Sequence, residues 1–121
     1  MSKRDCLLLL EDMLESAQKI KRYTSELSYK AFISDDKTID AVVRNFEIIG
    51  EAANRLDEDF RDIHPDIEWN RIRGFRNRIV HEYFGIDYKI VWTIIESYLD
   101  ELIVSLSSIM ENPKSSGSQG N

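Results

Sequence analysis

The 121 residues predict an all-α protein, an antiparallel bundle of four main helices, and three observations carry that expectation. Apolar residues recur at intervals of three and four along most of the chain. No stretch shows the sustained alternation that a half-buried strand needs. The two prolines, Pro65 and Pro113, fall outside the periodic stretches. This length suits one domain, placed at 1–111, with 112–121 read as a disordered tail of mostly Ser, Gly, Asn and Gln after Pro113.

Each helix has its own signals. Ser2 and Asp5 form a capping box with aspartate in place of glutamate, and Leu7, Leu10, Met13, Leu14, Ala17 and Ile20 follow at helical spacing. They predict a first helix over about 3–26. The segment 29–36 is polar and holds a cap. Beyond it Ile39, Val42, Val43, Phe46, Ile49, Ala53 and Leu56 mark a second helix, which Gly50, Ala52 and Ala53 make narrow enough for close packing. The acidic stretch 57–66 reads as a turn of helix and a connector, ending at His64-Pro65 because proline disfavours helix in the residue before it. A third helix is expected from near Glu68 to about Phe84, stopped by Gly85. Asp87 can cap the fourth, where Ile90, Val91, Ile94, Ile95, Tyr98, Leu99, Leu102, Ile103 and Leu106 cover a wide apolar sector.

Charge narrows the functional classes. The chain carries a formal -6, yet Trp69 to Phe84 holds four arginines against one glutamate. Positive charge is therefore concentrated in one segment, which argues against general nucleic-acid coating and for a local RNA contact. Cys6 is the sole cysteine, so no intrachain disulfide can form and a reducing cytoplasm is the natural compartment. Residues 1–15 read as neither signal peptide nor membrane span.

Within the basic segment, Arg76-Asn77-Arg78-Ile79-Val80-His81-Glu82-Tyr83 sets a guanidinium, an amide, an imidazole and a phenol into eight residues. Arginine offers a planar fork of donors to phosphate oxygens, and neutral histidine can accept a proton from a ribose hydroxyl near pH 7. That inventory requires no metal, and two histidines and one cysteine far apart make no ligand set. At about 100° per residue, Asn77 and His81 lie roughly 40° apart on a polar face shared with Asn70 and Arg73. Arg73 and Asn77 are thus supporting, phosphate-binding candidates. Arg76 falls instead beside Ile72, Phe75, Ile79 and Tyr83 on the side expected to pack inward, where an ion pair with Glu47 or Glu51 is the bland reading. Convergence of Arg76 and His81 then needs the reach of arginine, irregularity near Gly85, or a second subunit. His64 reads as a surface or turn histidine, and Trp69 and Trp92 as core or interface anchors.

The motif, with Asn45-Phe46-Glu47-Ile48-Ile49-Gly50-Glu51-Ala52-Ala53, Trp69, Ile72-Arg73-Gly74-Phe75-Arg76-Asn77 and His81-Glu82-Tyr83-Phe84-Gly85, resembles the HepT-like branch of the HEPN superfamily over roughly residues 4 to 110. The resemblance implies a HEPN-like helical homodimer whose two motifs meet in a cleft. It also implies a metal-independent endoribonuclease without cofactor, the toxin of a type VII-like toxin-antitoxin pair. The usual antitoxin is MntA, a minimal nucleotidyltransferase. Carried over by residue, Arg76 and His81 correspond to the catalytic pair, Asn77 to the polar residue after the arginine, and Tyr83 to the tyrosine that receives AMP. RNA is the implied substrate, with tRNA and mRNA both candidates. Two other readings stand beside it: a non-enzymatic nucleotide-binding or regulatory partner of a nucleotidyltransferase, and a dimeric scaffold with no ligand.

Overall fold

The computed structural model describes residues 1–112 and is a bundle of eight α-helices with one two-stranded ribbon. The expectation of a disordered tail falls, after Asn112, outside the described residues. The longest helix, α1 (Lys3–Thr24), opens on the expected capping box: Ser2 Oγ accepts from the Asp5 amide at 3.1 Å and the Asp5 carboxylate accepts from the Ser2 amide at 3.4 Å. The polar segment after it is itself a single helical turn, α2 (Tyr29–Ile33), capped by Ser28. Asp35 caps α3 (Asp36–Arg55), whose carboxyl the Thr38 hydroxyl and amide hold below the usual aspartate range. The acidic connector contains the expected turn of helix, α4 (Glu58–Asp62).

Two of the four expected rods are split. The third becomes α5 (Trp69–Arg73) and α6 (Phe75–Ile79), broken at Gly74, whose amide turns back to the carbonyls of Asn70 and Arg71. It also ends five residues earlier than expected. Val80 is already extended at φ -109°, ψ 119°, and β1 (Val80–His81) pairs antiparallel with β2 (Gly85–Ile86). Gly85 therefore ends no helix. At φ 76° it serves the turn of a tight ribbon, a backbone conformation that costs a residue with a Cβ about 1–2 kcal/mol. The ribbon replaces the last turn because the Ile79 carbonyl accepts from the Asp87 amide at 2.7 Å, and because Val80 and Ile86 pack on the core from both strands. The fourth rod becomes α7 (Tyr88–Ser97) and α8 (Leu99–Glu111), offset at Tyr98 with φ -134°.

The core lies where α1 packs along α3 and α8, with α5 and α6 laid across α3. Leu10, Met13, Ile20, Phe46, Ile49, Phe75, Ile79, Leu99 and Leu102 are fully buried there, and Cys6 is buried beside them. Trp69 is an anchor, as expected: its indole donates to the carbonyls of His64 at 2.9 Å and Arg61 at 3.1 Å. Trp92 is half-buried and packs on Phe32, with ring centres 5.1 Å apart. His64 opens a turn, its carbonyl accepting from the Ile67 amide at 3.3 Å, but it does not lie at the surface. It is buried against Phe60, with ring centres 4.6 Å apart, because the Trp69 indole ties the His64 carbonyl to the bundle while most acidic side chains of the connector stay exposed. Among the described residues no helix is long and apolar enough to cross a membrane.

Close approach of α5 to α3 depends on Gly50, where an added Cβ would sit 3.2 Å from the Ile72 carbonyl oxygen. Alanine there would regain about 0.5–1 kcal/mol of helix propensity, partly offsetting the push. Valine has no such offset. Gly50→Val should cost about 1–3 kcal/mol by overpacking, read as a lower thermal midpoint; an unchanged midpoint would contradict the packing described.

Candidate active site

The basic segment distributes its four arginines by their neighbours. Arg71 turns toward the bundle, its guanidinium 4.0 Å from the centre of the Tyr98 ring and 3.6 Å from Glu68. Burial pushes the Tyr98 phenol up to about 12, so the ring stays a neutral platform for the cation. Arg73, on the exposed side of α5, donates from Nε to Asn54 Oδ1 on α3 at 2.6 Å. Arg76 lies 3.6 Å from Glu47, also on α3, and its side chain remains 64% exposed. Arg78 is exposed.

Arg76 does not pack inward, as the helical-wheel arithmetic expects. The break at Gly74 interrupts the phase between Ile72 and Arg76, so Phe75 and Ile79 take the core and Arg76 turns to the α3 surface. Its ion pair with Glu47 is one of the two the sequence raises. Arg73 and Arg76 line a single cleft of about 270 Å³ with Arg44, Glu47, Glu51 and Asn54. Asn77, His81 and Tyr83 lie outside that lining, and Asn77 is exposed.

His81 is the first residue that the ribbon displaces. It stands on β1 opposite Gly85, off the helix, so the polar stripe expected to join Asn77 to His81 does not form. Its side chain is 44% exposed, and Nε2 lies 3.3 Å from Asp87 Oδ2. Beyond it the turn 82–84 thrusts two adjacent aromatics into solvent, Tyr83 at 87% and Phe84 at 88% exposure. Tyr83 is thus accessible, as its place near Gly85 leads one to expect, but at a loop tip and not on the inward side of a helix.

Asp87 is the residue that sequence reasoning saw only in part. The expected cap is present, with Oδ1 accepting from the Ile90 amide at 3.0 Å, but the other oxygen reaches His81. The Ile90 amide, and after it His81, hold the Asp87 carboxyl below the usual aspartate range. The signal for this second role was the glycine between His81 and Asp87, which permits the chain to reverse and bring the two together.

What this surface can do chemically follows from its parts. An accessible imidazole with a carboxylate at one nitrogen can accept and release a proton. The exposed arginines Arg73, Arg76 and Arg78 can offer their donors to phosphate oxygens. Because the Asp87 carboxyl is depressed on folding, the stability it confers is fully present above its unfolded-state value and is lost as pH falls through the folded one. The Ile90 amide resonance should therefore titrate below 3.8, the ordinary aspartate value. A midpoint at or above that value would contradict the cap geometry.

Comparison with known proteins gives the family context of the chain. A family model described as "Ribonuclease HepT-like" matches residues 13–109. The chain is 43% identical over 96 residues to a Methanocaldococcus jannaschii protein named "Putative RNase MJ1380", covering 79% of this chain and 88% of that one. It is 37% identical over 93 residues to a Thermococcus cleftensis protein named "Probable ribonuclease HepT", with 77% and 84% coverage. Identity to "Putative RNase TTE0752" of Caldanaerobacter subterraneus is 34% over 105 residues, covering 87% and 94%. No solved structure matches the chain.

Proposed function

The chain belongs to the HepT-like ribonuclease family, and from that premise we propose that it is a metal-independent endoribonuclease toxin, neutralised when a partner nucleotidyltransferase places AMP on Tyr83. The observation that carries this reading is the exposed His81 imidazole, held by Asp87 on a ribbon that directly continues the arginine-bearing α6. In the proposed step, His81 takes the proton of a ribose 2′-hydroxyl as its oxygen bonds to the adjacent phosphorus. The bond from phosphorus to the 5′-oxygen breaks, and that oxygen takes a proton from water. The products carry a 2′,3′-cyclic phosphate and a 5′-hydroxyl.

Arg76 stabilises the charge that builds on the phosphoryl oxygens, a role that the planar fork of guanidinium donors suits. Arg73, in the same cleft, and Asn77 position the backbone phosphates. Glu47 holds Arg76 at 3.6 Å in the free protein, and substrate phosphate competes for the same fork of donors.

The ribbon tip supports the regulatory half of the proposal. A phenol 87% exposed is open to a modifying enzyme, and AMP on it adds an anion and a nucleotide near the basic segment. That adduct can occupy the guanidinium and obstruct RNA. Exposed Phe84 gives a second copy of the chain an apolar contact that leaves the Tyr83 phenol open, and a homodimer pairs two motifs in one cleft. The setting is the cytoplasm, where RNA and an MntA-like antitoxin meet the toxin.

His81→Ala should lower RNA cleavage by about 10² to 10⁴ with folding unchanged, the usual span for a positioned acid or base. Chelator should leave the wild-type rate intact. AMP transfer from ATP by the cognate nucleotidyltransferase should add mass at Tyr83 and silence cleavage. Activity that survives His81→Ala or vanishes with chelator would remove the mechanism; an adduct elsewhere, or a Tyr83 adduct that leaves cleavage intact, would remove the control.

A further inference from the structure

His81 has two ring nitrogens, and the reaction above needs one of them free. Nε2 lies 3.3 Å from Asp87 Oδ2. The remaining polar atoms of Asp87 are committed elsewhere: Oδ1 accepts from the Ile90 amide at 3.0 Å, and the backbone amide donates to the Ile79 carbonyl at 2.7 Å. The carboxylate is therefore fixed at both ends and cannot swing away without releasing the start of α7. An ionised carboxylate has only acceptors, so a hydrogen bond to it obliges the neutral imidazole to carry its hydrogen on Nε2. The Asp87 carboxyl is held below the usual aspartate range, which keeps it ionised at neutral pH.

We infer that Asp87 is a positioning residue that sets the tautomer of His81, leaving Nδ1 as the basic atom of the site. The consequence for cleavage rests on the ribonuclease reading above; the tautomer itself does not. When Nδ1 takes the proton of the 2′-hydroxyl, both ring nitrogens carry hydrogen and the imidazolium gains the carboxylate's attraction. The water that protonates the departing 5′-oxygen becomes hydroxide, and this hydroxide removes the Nδ1 proton, so the site returns to its starting state. Asp87 keeps its charge throughout. The same carboxylate caps α7, so the helix start fixes the ring orientation as well.

Asp87→Asn separates this role from a merely structural one. Asparagine caps helices about as well as aspartate, so α7 should stay formed, with the thermal midpoint lowered only by what the carboxylate's charge adds to the cap. With the amide oxygen taken by the Ile90 N–H, the side-chain NH₂ faces His81 and turns Nε2 into an acceptor. The ring hydrogen then moves to Nδ1, and the basic atom is lost from the side that substrate reaches.

The test is nitrogen-15 NMR of the ring-labelled full chain with His81 neutral, together with steady-state cleavage of a labelled RNA. In the wild type, Nε2 should give the protonated-nitrogen signal and Nδ1 the unprotonated one; in Asp87→Asn the two should exchange. Cleavage by the variant should fall by about 10² to 10⁴ in kcat with KM little changed. Neutral wild-type His81 carrying its hydrogen on Nδ1 would overturn the inference without recourse to any variant. An unchanged kcat in Asp87→Asn, alongside His81-dependent cleavage by the wild type, would overturn its catalytic consequence. Should the wild type show no His81-dependent cleavage, the ribonuclease reading fails, and the nitrogen signals still decide the tautomer alone.

Discussion

Asp87 joins three parts of this molecule that otherwise have separate reasons to exist. Its amide binds the last carbonyl of α6, one carboxylate oxygen starts α7, and the other holds His81. Ending α6 at Ile79 forces the chain into the ribbon, and the ribbon puts His81 on a strand and Tyr83 and Phe84 at a tip. Were α6 to continue, the imidazole would leave its carboxylate and the aromatics would swing with the helix. The local conformation and the placement of the imidazole are thus set by the same residue.

On the other side of the motif, α3 does comparable work by close approach. Gly50 lets α5 come within contact of the α3 backbone, and the break at Gly74 turns Arg76 toward Glu47. An ion pair so open to water is weakly held, because solvent screens it and two long side chains lose freedom in forming it. Such a pair orients Arg76 without withholding it from phosphate. Arg71 illustrates the opposite use of the same residue type: stacked on Tyr98, it belongs to the bundle.

The parts of the fold that the sequence made legible are those decided locally. The capping box at Ser2 and Asp5, the periodicity of α1 and α3, and the cap at Asp87 depend on residues three or four apart, and they stand as read. The end of α6 was not legible, because Ile79-Val80 and Tyr83-Phe84 fit a helix and a ribbon about equally well over so short a run. A bond between residues 79 and 87 decides it. Arg76 was aimed wrongly by wheel arithmetic that ran through Gly74, although its partner Glu47 was among those named. Burial of His64 was illegible in an acidic connector, since only the fold brings Phe60 and Trp69 to it. The residue types of the motif were plain in the sequence; the carboxylate behind the histidine was visible only as a cap.

If the His81 surface serves attack by a ribose hydroxyl on its own phosphate, as we propose, the ends of the cleaved RNA record it directly. Purified chain should leave a 2′,3′-cyclic phosphate on one fragment and a 5′-hydroxyl on the other, and a single 2′-deoxy substitution at the cleaved nucleotide should block the cut. Fragments with a 3′-hydroxyl and a 5′-phosphate, or unhindered cleavage at the deoxy position, would contradict it.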